Sequence, residues 1–483
     1  MRPRSPRMLS LPVILAAVPC VAAAPGDDLP RQAADALRAA VTFFSTRVAC
    51  EGGYLWCYSE DLSRREGEGK ANATTVWVQP PGTPSAGMSL LDAYEATGDA
   101  FYRDAARTAG ECLRRGQLRS GGWTYSIAFD PAERTRFQYR VDPPAPGKKQ
   151  RNTTTLDDDT TQSAVRFLMR LDKALGFADA DIHGAVEFAL AALLAAQFPN
   201  GAWPQGFEEP PDPAAFPVVK ASYPSDWSRT PAGGQYWKHY TLNDNVLQDM
   251  AETLVDAAAI YGDDRYRDAA KRIGDFLILA QMPDPQPAWA QQYDAGMHPA
   301  WARKFEPPAV TGGESQGAMR TLLFLFRATG ERKYLEPIPR ALAYLRASQL
   351  PDGRLARFYE LTTNRPLYFT RSYELTYSDA DMPTHYAFKV GHDLDAIEAE
   401  LRALAAKPWK APAPAAAAAR PATTPALIAR AKAAIAQLDA QGRWVEEGRL
   451  RYHGEDDPAR RILRSETFIR NVAALSAYLA AVR

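Results

Sequence analysis

An all-α fold, built as an α/α barrel (toroid) of helix hairpins with long loops at one rim, is what three features of this sequence predict. A helical stretch rich in Ala and Leu, then Gln or another polar residue, then a Gly-containing turn and an aromatic, returns along the chain. Between the returns the apolar spacing is helical, as in Ile182, Val186, Leu190, Leu193 and Leu194, and again in Val246, Met250, Leu254, Ala257 and Ile260. Strand signals are few and short. The clearest copies are Gln117 to Trp123 and Gln197 to Trp203; Gln349 to Arg354 lacks the aromatic, and weaker forms sit at 52–56, 281–289 and 437–444. Their period of about 65 to 90 residues exceeds the roughly 20 to 50 of solenoid repeats and holds two helices and a turn. In these turns Gly supplies a positive φ, while Trp either caps the core or contacts a sugar; the sequence leaves both readings open.

Taken in order, residues 1–24 open with Arg2, Arg4 and Arg7, continue as an apolar run and end in Val21-Ala22-Ala23-Ala24, the pattern of a secretory signal peptide. Export, to the medium or the periplasm, is expected. The 483 residues carry 57 Lys+Arg against 57 Asp+Glu, and removal of the leader leaves about −3, so no basic excess marks a nucleic-acid binder. No later stretch reaches the roughly eighteen apolar residues of a membrane span. Cys50, Cys57 and Cys112 survive cleavage. Cys50 and Cys57 are close enough for a small loop disulfide, and three buried free thiols are an equal reading. Residues 25–406 form the expected barrel, 407–425 with its Ala-Pro-Ala-Pro run a linker, and 426–483 a C-terminal helix pair that can still close the ring. Phe207 to Lys238, rich in Pro, Gly and aromatics, reads as a long loop near the cleft mouth.

Two acidic helix starts carry the candidate chemistry. Thr153-Thr154-Thr155-Leu156-Asp157-Asp158-Asp159 runs straight into an apolar helical pattern, and Leu242-Asn243-Asp244-Asn245 does the same one repeat later. Asp and Thr cap free N–H groups and suit the positive end of the helix dipole, which is the ordinary explanation. Three adjacent carboxylates exceed what a cap needs, and clustered hard oxygens are what calcium selects. In a toroid both starts face one end of the ring, so Asp157 and Asp244 can share a cation. Two further segments mix cations with aromatics: Trp289 to Glu306, with Arg303 and Lys304, and Arg354 to Arg371, with Arg357, Arg365, Tyr359 and Phe369. Arginine forks bind carboxylates bidentately and rings stack on sugar faces, which suits an acidic saccharide; exposed arginines on a solvated face are the plain alternative.

Together, Thr153-Thr-Thr-Leu-Asp-Asp-Asp-Thr-Thr161, Asn200-Gly-Ala-Trp-Pro-Gln205, His239-Tyr-Thr-Leu-Asn-Asp244, Trp289-Ala-Gln-Gln-Tyr293, Arg303-Lys-Phe-Glu-Pro-Pro308, Gly313-Glu-Ser315 and Arg357 through Pro366 resemble the family-ten pectate lyases, in that family's order. The resemblance spans about residues 35–400. It implies an α/α-barrel enzyme that cleaves polygalacturonate by calcium-assisted β-elimination, acting as a monomer on an anionic polysaccharide with no nucleic acid or membrane partner. Carried over residue by residue, Asp157 and Asp244 bind Ca2+, Arg303 takes the C5 proton, and Arg357, Arg371, Trp203, Gln205, Asn243, Gln292 and Tyr293 hold substrate. The chain departs from the family where Asp158 replaces the usual Asn after Asp157, where Ala202 replaces a Gly, and where residues 207–238 are longer than the pattern needs.

The implied chemistry is coherent. A proton α to a carboxylate is a poor acid until that charge is neutralised, which a cation and two guanidinium groups do for the developing enediolate. A guanidinium keeps its proton to roughly pH 12, so an arginine base needs surroundings that lower it, and an alkaline optimum is expected. Two rivals remain at this level: an inverting glycoside hydrolase on a uronate polymer, with carboxyls roughly 6.5–9.5 Å apart, and a non-catalytic pectin-binding protein.

Overall fold

The computed structural model describes residues 28–144, 149–231, 233–411 and 422–483. The signal-peptide reading of 1–24 and most of the 407–425 linker lie outside the described residues. Among the described residues the helices are α1 (Leu29–Phe43), α2 (Thr83–Thr97), α3 (Ala100–Gly116), the single-turn α4 (Pro131–Arg134), α5 (Thr160–Ala174), α6 (Ala180–Ala195), α7 (Val246–Tyr261), α8 (Asp264–Ala280), α9 (Gly312–Thr329), α10 (Ile338–Ala347), α11 (Leu394–Ala405), α12 (Pro425–Gln437) and α13 (Ser465–Val482). Five of them, in the order α13-α2-α5-α7-α9, stand side by side as an inner layer, and the others pack outside them, as an α/α barrel requires. No described helix is long and apolar enough to cross a membrane.

Each hairpin is written locally. The inner helices α2 and α7 end at Gly98 and Gly262, both at positive φ, and the next residue, Asp99 or Asp263, caps the following outer helix through its carboxylate. At the other end of the outer helices the recurring Gln binds both its own turn and the neighbouring outer helix. Gln117 Nε2 donates to Gly121 O and Ala185 O, Gln197 Nε2 to Gly201 O and Ala269 O, and Gln281 Nε2 to Pro287 O and Pro337 O, all at 2.8–3.0 Å. The turn aromatic folds inward: Trp123, Trp203 and Trp289 are fully buried, and their indole N–H groups donate to Leu113 O, Leu193 O and Leu277 O. Gly201 has no substitute here, since a Cβ would sit 2.0 Å from Arg272 O. The repeat is therefore a packing unit, and its Trp faces the core.

A short antiparallel ladder precedes every inner helix. Thr75–Trp77 pairs with Ser126–Ala128 before α2, Thr154–Thr155 with Gly206–Phe207 before α5, and Tyr240–Thr241 with Gln292–Tyr293 before α7. Ala309–Thr311 pairs with Phe358–Glu360 before α9, and Arg461–Arg464 with Cys57–Ser59 before α13. These ladders bring the five inner N-termini to one rim, where the positive ends of their dipoles collect. The C-terminal pair α12–α13 packs on α1 and α2, so the end of the chain takes a place in the ring beside its beginning.

Among the described residues, Cys50, Cys57 and Cys112 are free thiols. This corrects the disulfide alternative for Cys50 and Cys57: Cys57 lies in a strand packed against Leu450 and Ile462, while Cys50 forms a tight bridge with Gly53 against the main core.

Candidate active site

Two helix starts of the same shape build the acidic wall. Leu156-Asp157-Asp158-Asp159 and Leu242-Asn243-Asp244-Asn245 each make one 3-10 turn, and each places two successive residues in the left-handed region: Asp158 at φ 48 and Asp159 at φ 58, Asp244 at φ 50 and Asn245 at φ 57. Asp and Asn tolerate that region better than other side chains, though each such residue still costs roughly 1 kcal/mol. Strain repeated at two sites and retained with polar residues marks a functional surface.

Asp157, Asp158 and Asp244 converge there, each offering a carboxylate oxygen within 4.8 Å of the others'. Asp157 Oδ2 accepts from Tyr125 Oη at 2.6 Å, Asp158 Oδ2 accepts from Gln79 Nε2 at 2.8 Å, and Asn243 Nδ2 donates to Asp244 Oδ2. Asp159 turns away and pairs with Arg166. Burial, the charge of Asp157 and a hydrogen bond shared with it push the Asp244 carboxyl up to about 9. The packing around Asp158, with Asp157 and Glu68 nearby, raises it to about 6. Crowded acids of this kind hold protons or a cation. The donor set fits calcium: two ligands at roughly 2.4 Å from one ion are at most about 4.8 Å apart. Asp157 Oδ1 and Asn243 Oδ1 are also buried with no hydrogen-bond partner.

Across from the acids, Arg303 and Arg357 flank one tyrosine ring, their guanidinium carbons 5.5 and 4.4 Å from the centre of Tyr386. Arg357 donates to Glu314 Oε1 at 3.2 Å, and its Nε is buried without a partner. Arg303 feels the charges of Asp158 and Asp244, which places it within electrostatic reach of the cluster. Its own partner is Glu306, held by a fork of 2.8 and 2.5 Å, and the Glu306 carboxylate is buried and also accepts from Tyr386 Oη. Glu306 raises the Arg303 pKa, which corrects the expectation that its surroundings would lower it: a buried anion in bidentate contact favours the charged guanidinium.

The remaining expected residues separate. Gln205 lies half-buried at the rim, its carbonyl accepting from Leu156 N, and Asn243 is buried within the acid wall. Trp203 and Tyr293 are corrected as substrate contacts, because both are fully buried; Tyr293 Oη donates to Ala280 O inside the core. Gln292 is corrected likewise: it is buried in its ladder with Nε2 donating to Ala300 O. Arg371 stands in the turn after the strand Pro366–Phe369, 74 % exposed, and pairs with Asp381. Sequence reasoning assigned no individual role to Asp158, Gln79, Tyr125, Glu306 or Glu314. Aligning Leu156-Asp-Asp-Asp on Leu242-Asn-Asp-Asn was the available signal for Asp158, since it makes Asp158 and Asp244 equivalent positions. Gln79 and Tyr125 sit beside short ladders that carry no signature.

A family model described as pectic acid lyase matches residues 133–325. Among solved structures the chain is similar to an aspartate-to-alanine mutant of a family 10 polysaccharide lyase from Cellvibrio cellulosa in complex with trigalaturonic acid, at 20% identity and TM-score 0.45 over 67% of this chain and 98% of that one. The same lyase without the mutation gives 20% and 0.44, over 67% and 97%. A GH76 α-mannanase from Bacteroides thetaiotaomicron gives 10% and 0.40 over 95% and 97%. No curated protein matches the chain. The segment 133–325 that matches the pectic acid lyase model holds all three acids of the cluster, Arg303 and Glu314.

Proposed function

We propose that this protein cleaves polygalacturonate by calcium-assisted β-elimination. The observation that carries the reading is the convergence of three carboxylates, Asp157, Asp158 and Asp244, within electrostatic reach of the guanidinium groups of Arg303 and Arg357, both of which feel the charge of Asp244. Asp157, Asp158 and Asp244 would hold the ion, with Asn243 Oδ1 at hand as a neutral donor. Bound there, calcium would neutralise the uronate carboxylate and acidify the neighbouring C–H. Arg357, desolvated and with its Nε free, is suited to grip a substrate carboxylate.

Arg303 is the candidate for the C5 proton. In the substrate-free protein its guanidinium is charged, so to act as a base it has to leave its fork with Glu306 or pass a proton to that carboxylate first. The elimination then breaks the C5–H and C4–O bonds, leaves a C4–C5 double bond and releases the leaving oxygen as a hydroxyl after protonation. A hydrolase pair of the inverting kind needs a wider separation, roughly 6.5–9.5 Å, than the 4.8 Å that bounds these acids. Export, read from residues 1–24, suits a polymer substrate outside the cell.

The test is incubation of the purified protein with polygalacturonate, with calcium and with chelator. Near-ultraviolet absorbance from an unsaturated uronate, abolished by chelator, is expected. Reducing ends without that absorbance would point to hydrolysis, and binding without either product to the non-catalytic reading.

A further inference from the structure

The long segment that joins Gly206–Phe207 to Tyr240–Thr241 is anchored along its described residues, 207–231 and 233–239. Phe216 packs on Phe198, with ring centres 4.5 Å apart, and Tyr223 Oη donates to Pro283 O at 3.0 Å. Trp227 then enters the aromatic cluster of Phe305, Phe358 and Phe369, and Trp301 Nε1 donates to Ser228 O at 2.8 Å. Arg229 pairs with Glu360 and donates to Tyr377 Oη at 3.0 Å. Glu360 is buried, and it lies on the strand that follows Arg357 directly. The segment thus leaves the ladder beside Asp157, crosses to the sheet that carries the arginine wall, and returns as the turn Tyr236–Lys238, which packs on Gly206–Phe207 just ahead of Asp244.

That return sets Tyr236 over the groove. Its hydroxyl lies within electrostatic reach of Arg303, Glu306, Asp157 and Asp244. Among the described residues its hydroxyl has no protein partner, and Trp237 stands edge-on to it at 5.6 Å with its ring partly exposed. A half-buried phenol of this kind offers a flat apolar face for sugar C–H groups and one polar tip for a sugar hydroxyl.

We propose that Tyr236 is a substrate-binding residue, contacting the uronate seated between the acid cluster and Arg303, and that the Arg229–Glu360 pair is the positioning anchor that presents it. This rests on the lyase reading of the same groove. A ring contact and one hydrogen bond held equally in ground and transition states act on binding, so KM moves and kcat stays.

The experiment is steady-state elimination of polygalacturonate at saturating calcium by wild type, Tyr236→Ala, Tyr236→Phe, Arg229→Ala and Arg229→Lys. Tyr236→Ala is expected to raise KM about tenfold with kcat within about threefold, and Tyr236→Phe to raise it about threefold. Arg229→Ala is expected to raise KM about threefold, with partial rescue by Arg229→Lys. Wild-type KM in both Tyr236 variants overturns the proposal, as does a fall in kcat alone. If Tyr236→Ala melts below wild type, Tyr236→Phe decides the binding role by the same criterion. If wild type gives no elimination, quenching of intrinsic fluorescence by polygalacturonate is measured instead: weaker quenching in Tyr236→Ala keeps the contact and discards the lyase reading, and equal quenching discards both.

Discussion

Replacing Asp244 by Asn exposes the cost of the acid cluster and its purpose in one variant. Asn fills the same volume and tolerates the left-handed φ of 50 that position 244 requires. In the metal-free protein the Asp244 carboxyl is pushed from 3.8 up to about 9 by burial and by Asp157. At about 1.4 kcal/mol per pKa unit, that costs the folded state about 4 kcal/mol at pH 7. Part of that cost lies with neighbouring acids that the variant keeps, so about half of it, roughly 2 kcal/mol, is assigned to the single substitution. The sign follows from proton counts. Between pH 4 and pH 9 the folded chain holds a proton the unfolded chain has released, so stability falls as pH rises through that window.

The unfolding entropy of a chain this long, about 2 cal/mol/K per residue, converts about 1 kcal/mol into about 1 °C. Asp244→Asn is therefore expected to melt about 2 °C above wild type in chelator at pH 7, with the gap closing toward pH 5. Calcium at a hundred times its Kd adds about 2.7 kcal/mol to the wild type, and the variant, short of one carboxylate, gains little. The rank order reverses between the two buffers in thermal melts. A variant that melts below wild type in chelator, or that takes up the full calcium shift, would refute the reasoning.

Arg303→Ala is expected to lower kcat for polygalacturonate by about 10²- to 10³-fold with calcium stabilisation intact, checked by ultraviolet rate assay and melts in parallel. Glu306→Gln removes the anion that holds Arg303 charged, so the rising limb of the pH–rate profile is expected to move to lower pH; an unmoved limb dissociates Arg303 from the proton step. Apparent calcium affinity is expected to rise from pH 6 to pH 9 as the ion displaces protons from Asp158 and Asp244, whose carboxyls sit at about 6 and about 9, read by titration calorimetry in buffers of different ionisation heat. Trp203→Phe is expected to destabilise by about 1–3 kcal/mol as a core truncation while leaving KM at the wild-type value, because Trp203 has no exposed face.

The helix hairpins were legible because each is encoded locally: Gly-Asp at the turns after α2 and α7, helical apolar spacing, and Gln-Gly-Trp at the end of the outer helices. The acidic helix starts were legible for the same reason, since a run of Asp and Asn before an apolar pattern has few other uses. Their partners were hidden by long-range geometry. Tyr125 reaches Asp157 from 32 residues away and Gln79 reaches Asp158 from 79, and nothing near either residue in sequence marks it. The aromatic turns misled in the other direction. Trp203 and Tyr293 stand in motifs that carry the family resemblance, yet their rings serve the core, because a turn that must close against an outer helix needs its largest side chain inward.

An alkaline optimum remains the expectation, with a different cause from the one read in the sequence. An arginine base was expected to be lowered by its surroundings, yet Glu306 raises Arg303 through a buried bidentate contact. Of the clustered acids, Asp158 and Asp244 are the ones raised toward and beyond neutral pH. The acids and Arg357 stand at the ladders that start inner helices, whereas Arg303 lies in the loop between Gln292–Tyr293 and Ala309–Thr311. In that frame, raising pH does two things in sequence: it first frees the acid wall for a cation, and the cation's charge then weighs against the guanidinium opposite. The pH dependence of rate should therefore shift to lower pH as calcium is raised, because metal and proton compete for the same carboxylates. A profile independent of calcium concentration would instead assign the titration to Arg303 and Glu306 alone.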